Sequence, residues 1–146
     1  IISNLDESYY IAEIKSLQRI LQETNGEIPV LGFVDEVLRG TNTLERIAAS
    51  SQILASLSQA NALCFAATHD IELTHILEEQ FSNYHFQEQI VDNTIIFDYK
   101  LYEGRAISRN AIKLLSILGY SESIIEKATK SANAFLETGE WQKLEF

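Results

Sequence analysis

From Ser8 to about Gln22, the apolar residues Tyr10, Ile14, Leu17 and Leu21 recur at helical spacing, with Ile11 and Ile20 widening the stripe. The pattern predicts an amphipathic helix, ended by Thr24-Asn25-Gly26. The run Pro29-Val30-Leu31-Gly32-Phe33-Val34 is apolar without alternation, the pattern of a parallel strand covered on both faces, and it stops abruptly at Asp35-Glu36. After Leu38-Arg39-Gly40-Thr41-Asn42-Thr43, a second helix is expected, with Leu44, Ile47, Ala48, Ser51, Leu54 and Ala55 facing inward and Asn42 and Glu45 spaced as a capping box. A second buried strand, Ala62–Ala67, ends in Thr68-His69-Asp70 and precedes a short helix to about Glu79. Strand, helix, strand, helix implies a right-handed βαβ unit and a parallel sheet.

The period then changes to two. Tyr84 and Phe86 alternate on one arm, and Ile95, Phe97, Tyr99 and Leu101 on the other, around Val91-Asp92-Asn93, which predicts an antiparallel hairpin. Ile107, Ala111, Leu114, Leu115 and Leu118 form a helical stripe stopped by Gly119. Ser121 and Glu122 open a last helix carrying Ile124, Ile125, Ala128, Ala132 and Phe135, and the tail after Thr138-Gly139 is expected to fray. These elements make an α/β chain with parallel strands, an antiparallel hairpin and a carboxyl-terminal helical pair.

Composition narrows the function classes. With 146 residues, 46% of them hydrophobic, the chain is long enough for a core without disulfides. The one cysteine, Cys64, excludes an intrachain disulfide and a cysteine-rich zinc site; inside an apolar strand it reads as an inert core thiol. Against 21 Asp and Glu stand 11 Lys and Arg, a net charge of −10 that repels DNA phosphates and anionic membranes. No run approaches the ~18 apolar residues of a membrane span, and no signal-peptide pattern appears, so a cytoplasmic location is expected. With no methionine anywhere, the chain is expected to be a piece of a longer protein.

Candidate chemistry gathers where strands end. In open α/β sheets, ligands collect at the carboxyl ends of strands. Asp35 there could hold Mg²⁺, and Glu36 could orient or deprotonate a water; the plainer possibility is two solvated acids capping a strand. His69 ends the neighbouring strand, so it is expected on the same rim as Glu36, against the alternative of an ordinary surface histidine. His75 and His85 lack metal-ligand spacing and read as surface or partly buried residues. Tyr9, Tyr10 and the hairpin aromatics read as core packing, with base stacking as the sharper alternative.

The stretch Val30-Leu31-Gly32-Phe33-Val34-Asp35-Glu36, then Val37-Leu38-Arg39-Gly40-Thr41-Asn42-Thr43, then Ala67-Thr68-His69, resembles the ATPase domain of the MutS family of DNA mismatch-repair proteins. There Asp-Glu closes the Walker B strand, Asp-Glu-Ile-Gly-Arg-Gly-Thr-Ser-Thr runs on through the D-loop, and Ala-Thr-His ends the next strand. Ser8-Tyr9-Tyr10-Ile11-Ala12-Glu13-Ile14 is similar to the Ser-Thr-Phe-Met-Val-Glu-Met segment of the family's ABC-type signature helix, and Gly104-Arg105-Ala106-Ile107-Ser108 with the two final helices is similar to its dimer-forming end. The resemblance runs in order over roughly residues 3 to 135. It implies part of a P-loop ABC-type ATPase three-layer sheet, with residues 1–104 as the carboxyl-terminal half of the core and 105–146 as a helical dimerisation segment.

On this resemblance Asp35 holds Mg²⁺, Glu36 activates the hydrolytic water and His69 senses the γ-phosphate of ATP. Ser8 offers its hydroxyl at a helix N-terminus to nucleotide on the other subunit; as a plain residue it is an N-cap. Arg39, Gly40, Thr41 and Asn42 cross a homodimer interface and link the two sites, where the plain reading is a tight turn and a cap. DNA is contacted by other regions of the parent protein. Departures mark a divergent branch: Leu38 stands where the family has Gly, Asn42 replaces Ser, and Glu45-Arg46 stands where Asp-Gly is usual. No glycine is followed by lysine, so the sequence has no G-x-x-x-x-G-K-[ST] phosphate loop. In the family that loop lies upstream, so this chain alone is expected to be inactive, and the edge of the 62–67 strand is expected to drive dimerisation, swapping or rearrangement. Two further readings are a non-catalytic dimerisation module and an unrelated Mg²⁺-dependent hydrolase using Asp35 and Glu36.

Overall fold

A computed structural model describes the backbone of residues 4–106 and 110–144, with side chains from residue 9 onward. The elements run α1 (Asn4–Glu23), β1 (Val30–Asp35), α2 (Thr43–Ser58), β2 (Ala62–Ala67), α3 (Ile71–Ile76), β3 (Tyr84–His85), β4 (Glu88–Val91), β5 (Thr94–Phe97), β6 (Tyr102–Glu103), α4 (Ala111–Ile117) and α5 (Glu122–Thr138). The chain is thus a mixed α/β fold with a short parallel sheet, antiparallel strands and helices. It divides into a first unit up to His85, joined by Glu103–Arg105, and a second of Phe86–Tyr102 with the residues from Ala106 on.

In the first unit β1 and β2 pair in parallel, with Leu31 opposite Leu63, Phe33 opposite Phe65, and Asp35 opposite Ala67. One face packs on the helices. Leu17 of α1, Val37, Leu38, Leu54 and Leu57 of α2, and Leu73 and Leu77 form one buried cluster, with Val34 and Cys64 against it. A side chain at Gly32 would approach Ile20 of α1 and the Cys64 thiol, so glycine lets helix and sheet close together.

The opposite face differs from expectation. Among the described residues nothing covers Leu31, Phe33, Leu63 and Phe65; Phe33 and Phe65 stay 70% and 55% exposed while stacking on each other at 5.4 Å. The two runs are therefore not buried on both sides by this stretch, and among the described residues β2 pairs only with β1. An apolar run demands cover on both faces without saying which stretch supplies it.

Helix α2 begins as its sequence requires. The Asn42 side chain accepts the N–H of Glu45 at 3.0 Å and donates to Glu45 Oε2 at 2.6 Å, two contacts that tie the first turn to its cap. The buried face is Ser50, Ser51, Leu54 and Leu57, so Leu44, expected inside, is exposed. Helix α1 starts at Asn4, which places Ser8 beyond the first turn and removes both the N-cap expectation and the helix N-terminus at which its hydroxyl is expected to meet nucleotide; the Ser8 side chain lies outside the described residues.

In the second unit β4 and β5 form the antiparallel hairpin, joined by Asp92-Asn93, both with positive φ (48° and 57°) as a two-residue primed turn requires. It is shorter than the 84–101 alternation predicts. Asp98 captures the Lys100 N–H at 3.0 Å and Tyr99 turns left-handed (φ 55°), a local turn that ends the ladder. Phe86, Phe97 and Tyr99 are exposed, as are Tyr9 and Tyr84 in the first unit, which overturns the core-packing expectation for these aromatics. Helix α4 packs on α5; Gly119 and Gly139 follow the two helices with positive φ, the glycine C-cap geometry. Ile107, expected in the α4 stripe, and Ser108 lie outside the described residues.

Candidate functional site at the strand ends

Parallel pairing brings the two polar strand ends together. The Glu36 N–H donates to the Ala67 carbonyl at 2.9 Å, carrying the ladder one residue beyond β1. Glu36 there adopts a left-handed backbone (φ 51°), and its carboxylate turns to the next strand end: Oε1 lies 3.0 Å from His69 Nε2 and Oε2 lies 3.1 Å from Arg39 Nη1. Glu36 and His69 thus share one rim, as their positions in the sequence imply. Asp35 pairs with Ala67 in the ladder, but its exposed side chain does not line the cleft at these strand ends and makes none of the hydrogen bonds or ion pairs found among the described residues.

The turn after Glu36 is held from below. Val37 and Leu38 point into the core, each 2% exposed, and Ser50 Oγ donates to the Val37 carbonyl at 3.3 Å. Leu38 has φ 56°, in the left-handed region where glycine is at ease. Its N–H donates to Glu13 Oε1 at 2.6 Å, and the Arg39 N–H reaches the same oxygen at 3.4 Å. Tyr10, one turn before Glu13 on α1, packs so close to Gly40 that a Cβ there would lie 3.1 Å from its ring. Helix α1 therefore grips the turn through Tyr10 and Glu13. Arg39 and Gly40 lie at the surface, Thr41 Oγ1 donates to Glu45 Oε2 at 3.2 Å, and Asn42 is the α2 cap.

The pairing of Arg46 with Asp70 escapes the sequence reading. Arg46 donates from Nε to Asp70 Oδ2 at 2.7 Å and from Nη2 to Asp70 Oδ1 at 2.5 Å, a bidentate pair in which Asp70 pushes the already basic guanidinium further up. The pair joins α2 to the loop after β2 across 24 residues, a separation that no local periodicity marks. Glu36, Arg39, Arg46, Thr68, His69 and Asp70 line a shallow cleft of about 200 Å³. The cleft has both signs of charge, two hydrogen-bonding strand ends and an open mouth.

Other candidates sit apart from it. Cys64 is half-buried on the packed face of β2, and burial pushes its thiol up, as expected of an inert thiol. His75 meets Arg105 and Glu78, and His85 Nδ1 meets the Gly104 carbonyl at 2.9 Å. Among the described residues no group of three or more His, Cys, Asp or Glu is arranged to hold a metal ion, and no helix is long and apolar enough to cross a membrane.

Comparison with known proteins places this rim in a family. The family model described as MutS domain V matches residues 3–136. The chain is 33% identical over 129 residues to the DNA mismatch repair protein MutS of Aquifex pyrophilus, covering 86% of this chain and 15% of that protein. It is 33% identical over 129 residues to MutS protein homolog 4 of Homo sapiens (82% and 14%) and 34% identical over 113 residues to its Mus musculus counterpart (72% and 12%). The chain thus spans no more than 15% of the length of these curated relatives. The match runs through the strand ends, the turn and the helices around them, and on it the chain belongs to the MutS family, as its domain V.

Proposed function

We propose that this chain is the carboxyl-terminal part of an ATPase domain of the P-loop, ABC-type class, which binds and hydrolyses ATP at a composite site in a homodimer and is coupled to DNA in the parent protein. The observation that carries the proposal is the Glu36–His69 contact of 3.0 Å at the carboxyl ends of two adjacent parallel strands. A carboxylate and an imidazole so placed can hold an attacking water against a phosphoryl group. In this reading Glu36 orients the water and accepts its proton, and His69 donates a hydrogen bond to a γ-phosphoryl oxygen.

Asp35, an exposed carboxylate at the end of β1 next to Glu36, would be the residue to hold Mg²⁺, although it does not itself line the cleft. Mg²⁺ is commonly held by one or two carboxylates, the rest of its shell being phosphate and water, so a group of three protein ligands is not required. Its chemistry there is to neutralise charge on the transferring phosphoryl group. The cleft, at about 200 Å³, is smaller than the ~300–1,000 Å³ of a drug-sized ligand site and suits the polyphosphate end of a nucleotide. The phosphate loop, the second helix layer over Leu31, Phe33, Leu63 and Phe65, and the DNA-contacting regions would come from other parts of the parent polypeptide. Arg39, Gly40, Thr41 and Asn42, with Ser8 on α1, would face the nucleotide of the second subunit, and residues 105–146 would supply the dimer contacts.

The test is Glu36→Gln in the intact polypeptide that carries this domain. Binding of Mg-ATP is retained while hydrolysis falls by about 10²–10⁴-fold, the range of a lost general base. Unaltered turnover removes Glu36 from the mechanism.

A further inference from the structure

His69 has little to hold it in place. Its side chain is 91% exposed, and its one described side-chain partner is Glu36. Its aim therefore depends on the backbone of Thr68-His69-Asp70, and that segment is fastened at several points. The Asp70 N–H donates to Thr68 Oγ1 at 2.9 Å, closing a small turn around His69. The Asp70 carbonyl accepts the Leu73 N–H at 3.1 Å as α3 begins. The Asp70 carboxylate is gripped by both arms of the Arg46 guanidinium, and these two side chains are only 23% and 13% exposed.

Arg46 is in turn fixed to the first turn of α2, where its N–H donates to the Asn42 carbonyl at 2.9 Å. Asn42 lies six residues after Glu36, at the end of the same turn. A continuous path thus runs from the Glu36 turn through the α2 cap, Arg46 and Asp70 to the backbone of His69. A fork of two parallel hydrogen bonds fixes orientation as well as distance, which a lysine ammonium at the same position does not.

We infer that the Arg46–Asp70 pair is a positioning clamp for the hydrolytic site: it locks the loop after β2 onto α2 and thereby sets His69 at hydrogen-bonding distance from Glu36. The inference rests on the reading of Glu36 and His69 as the hydrolytic pair. It assigns a role to Arg46, which stands where the sequence pattern of the family puts glycine; both side chains line the cleft, but the guanidinium fork is taken up by the Asp70 carboxylate, so the role assigned is positioning and not nucleotide contact. A small misplacement of a reacting geometry costs up to about 100-fold in rate.

The test uses Arg46→Ala, Arg46→Lys, Asp70→Asn and the reversed pair Arg46→Asp with Asp70→Arg, measured for ATP hydrolysis in the intact polypeptide. Arg46→Ala and Asp70→Asn are expected to lower kcat by about 10–100-fold with KM for Mg-ATP within about two-fold. Arg46→Lys recovers only part of the loss, and the reversed pair recovers more than either of its single substitutions. A second readout is independent of turnover. With three histidines in the sequence, the ring Cε1–H resonance of His69 is resolved by histidine labelling of the 146-residue chain. Arg46→Ala is expected to move it to the position found in Glu36→Gln while leaving His85 unmoved. Unchanged kcat and an unmoved His69 resonance in Arg46→Ala overturn the clamp. Undiminished hydrolysis in Glu36→Gln refutes the hydrolytic reading alone, and the His69 resonance then decides the clamp by itself. If Arg46→Ala loses its folded circular dichroism, Arg46→Lys carries the same two readouts, and a wild-type result in both overturns the inference.

Discussion

Replacing Leu38 by alanine and, separately, by glycine is expected to invert the order in which those residues usually destabilise. Leu38 is 2% exposed within the cluster of Leu17, Val37, Leu54, Leu57, Leu73 and Leu77, so truncation to alanine costs about 2–5 kcal/mol in lost burial and cavity. Its φ of 56° adds a second quantity. An L-residue in the left-handed region carries about 1–2 kcal/mol of strain, which alanine keeps and glycine relieves. Glycine loses the Cβ contact, about 0.8 kcal/mol, so Leu38→Gly is expected to be as stable as Leu38→Ala or more so, by up to about 1 kcal/mol. Leu54, equally buried inside α2, is the control: there glycine should fall about 1 kcal/mol below alanine. The Glu13 contact does not confound the comparison, because it engages the backbone N–H, which all variants keep. Urea unfolding followed by circular dichroism reads the difference as midpoint shifts of about 0.3–1 M per kcal/mol. Leu38→Gly falling below Leu38→Ala by the same margin as at position 54 would refute the left-handed assignment.

Further predictions concern the α2 cap and the second unit. Asn42→Ala removes the side-chain bond to the Glu45 N–H and should cost about 1 kcal/mol in urea unfolding, largely restored by Asn42→Asp; equal stability of all three chains contradicts the cap. The Tyr102 hydroxyl donates to Asp98 Oδ2, and with the Lys100 N–H it holds the Asp98 carboxyl below its ordinary range. The sign follows. A carboxylate lowered in the folded chain contributes stability that is fully present above the ordinary carboxylate pKa and is lost as pH falls through the lowered one. Tyr102→Phe should therefore move the Asp98 titration, followed by carboxyl NMR, upward, and an unmoved titration would show that the hydroxyl is not its cause.

Local rules read the α2 cap, the primed turn at Asp92-Asn93 and the helix stops at Gly119 and Gly139 directly, because each is decided within a few residues. The shared rim of Glu36 and His69 was legible for a different reason: a βαβ crossover makes two strands parallel, and parallel strands put their carboxyl ends side by side. Alternation predicts too long a hairpin because it continues to Leu101 while Asp98 diverts the Lys100 N–H into its own turn, a competition that Asp-Tyr-Lys announces only weakly. The bare face of Leu31, Phe33, Leu63 and Phe65 had no local signal, since burial is a property of what lies opposite. The same holds for Arg46 and Asp70, whose partnership spans 24 residues.

The two glycine departures acquire a common physical meaning in the structure. The resemblance puts glycine at positions 38 and 46, and this chain has Leu and Arg. At 38 the backbone keeps the left-handed conformation that glycine adopts at no cost, and the leucine side chain offsets its strain by filling the core beneath the turn. At 46 an arginine on the first turn of α2 crosses to Asp70 and ties down the loop that carries His69. One substitution fastens the turn after Glu36 from below, and the other fastens the strand end beside it. Both replace backbone freedom with a side-chain anchor, and they do so on either side of the same pair of residues. The Glu36 turn and the His69 loop are thus each tied to neighbouring structure by a side chain at a position where the resemblance implies glycine.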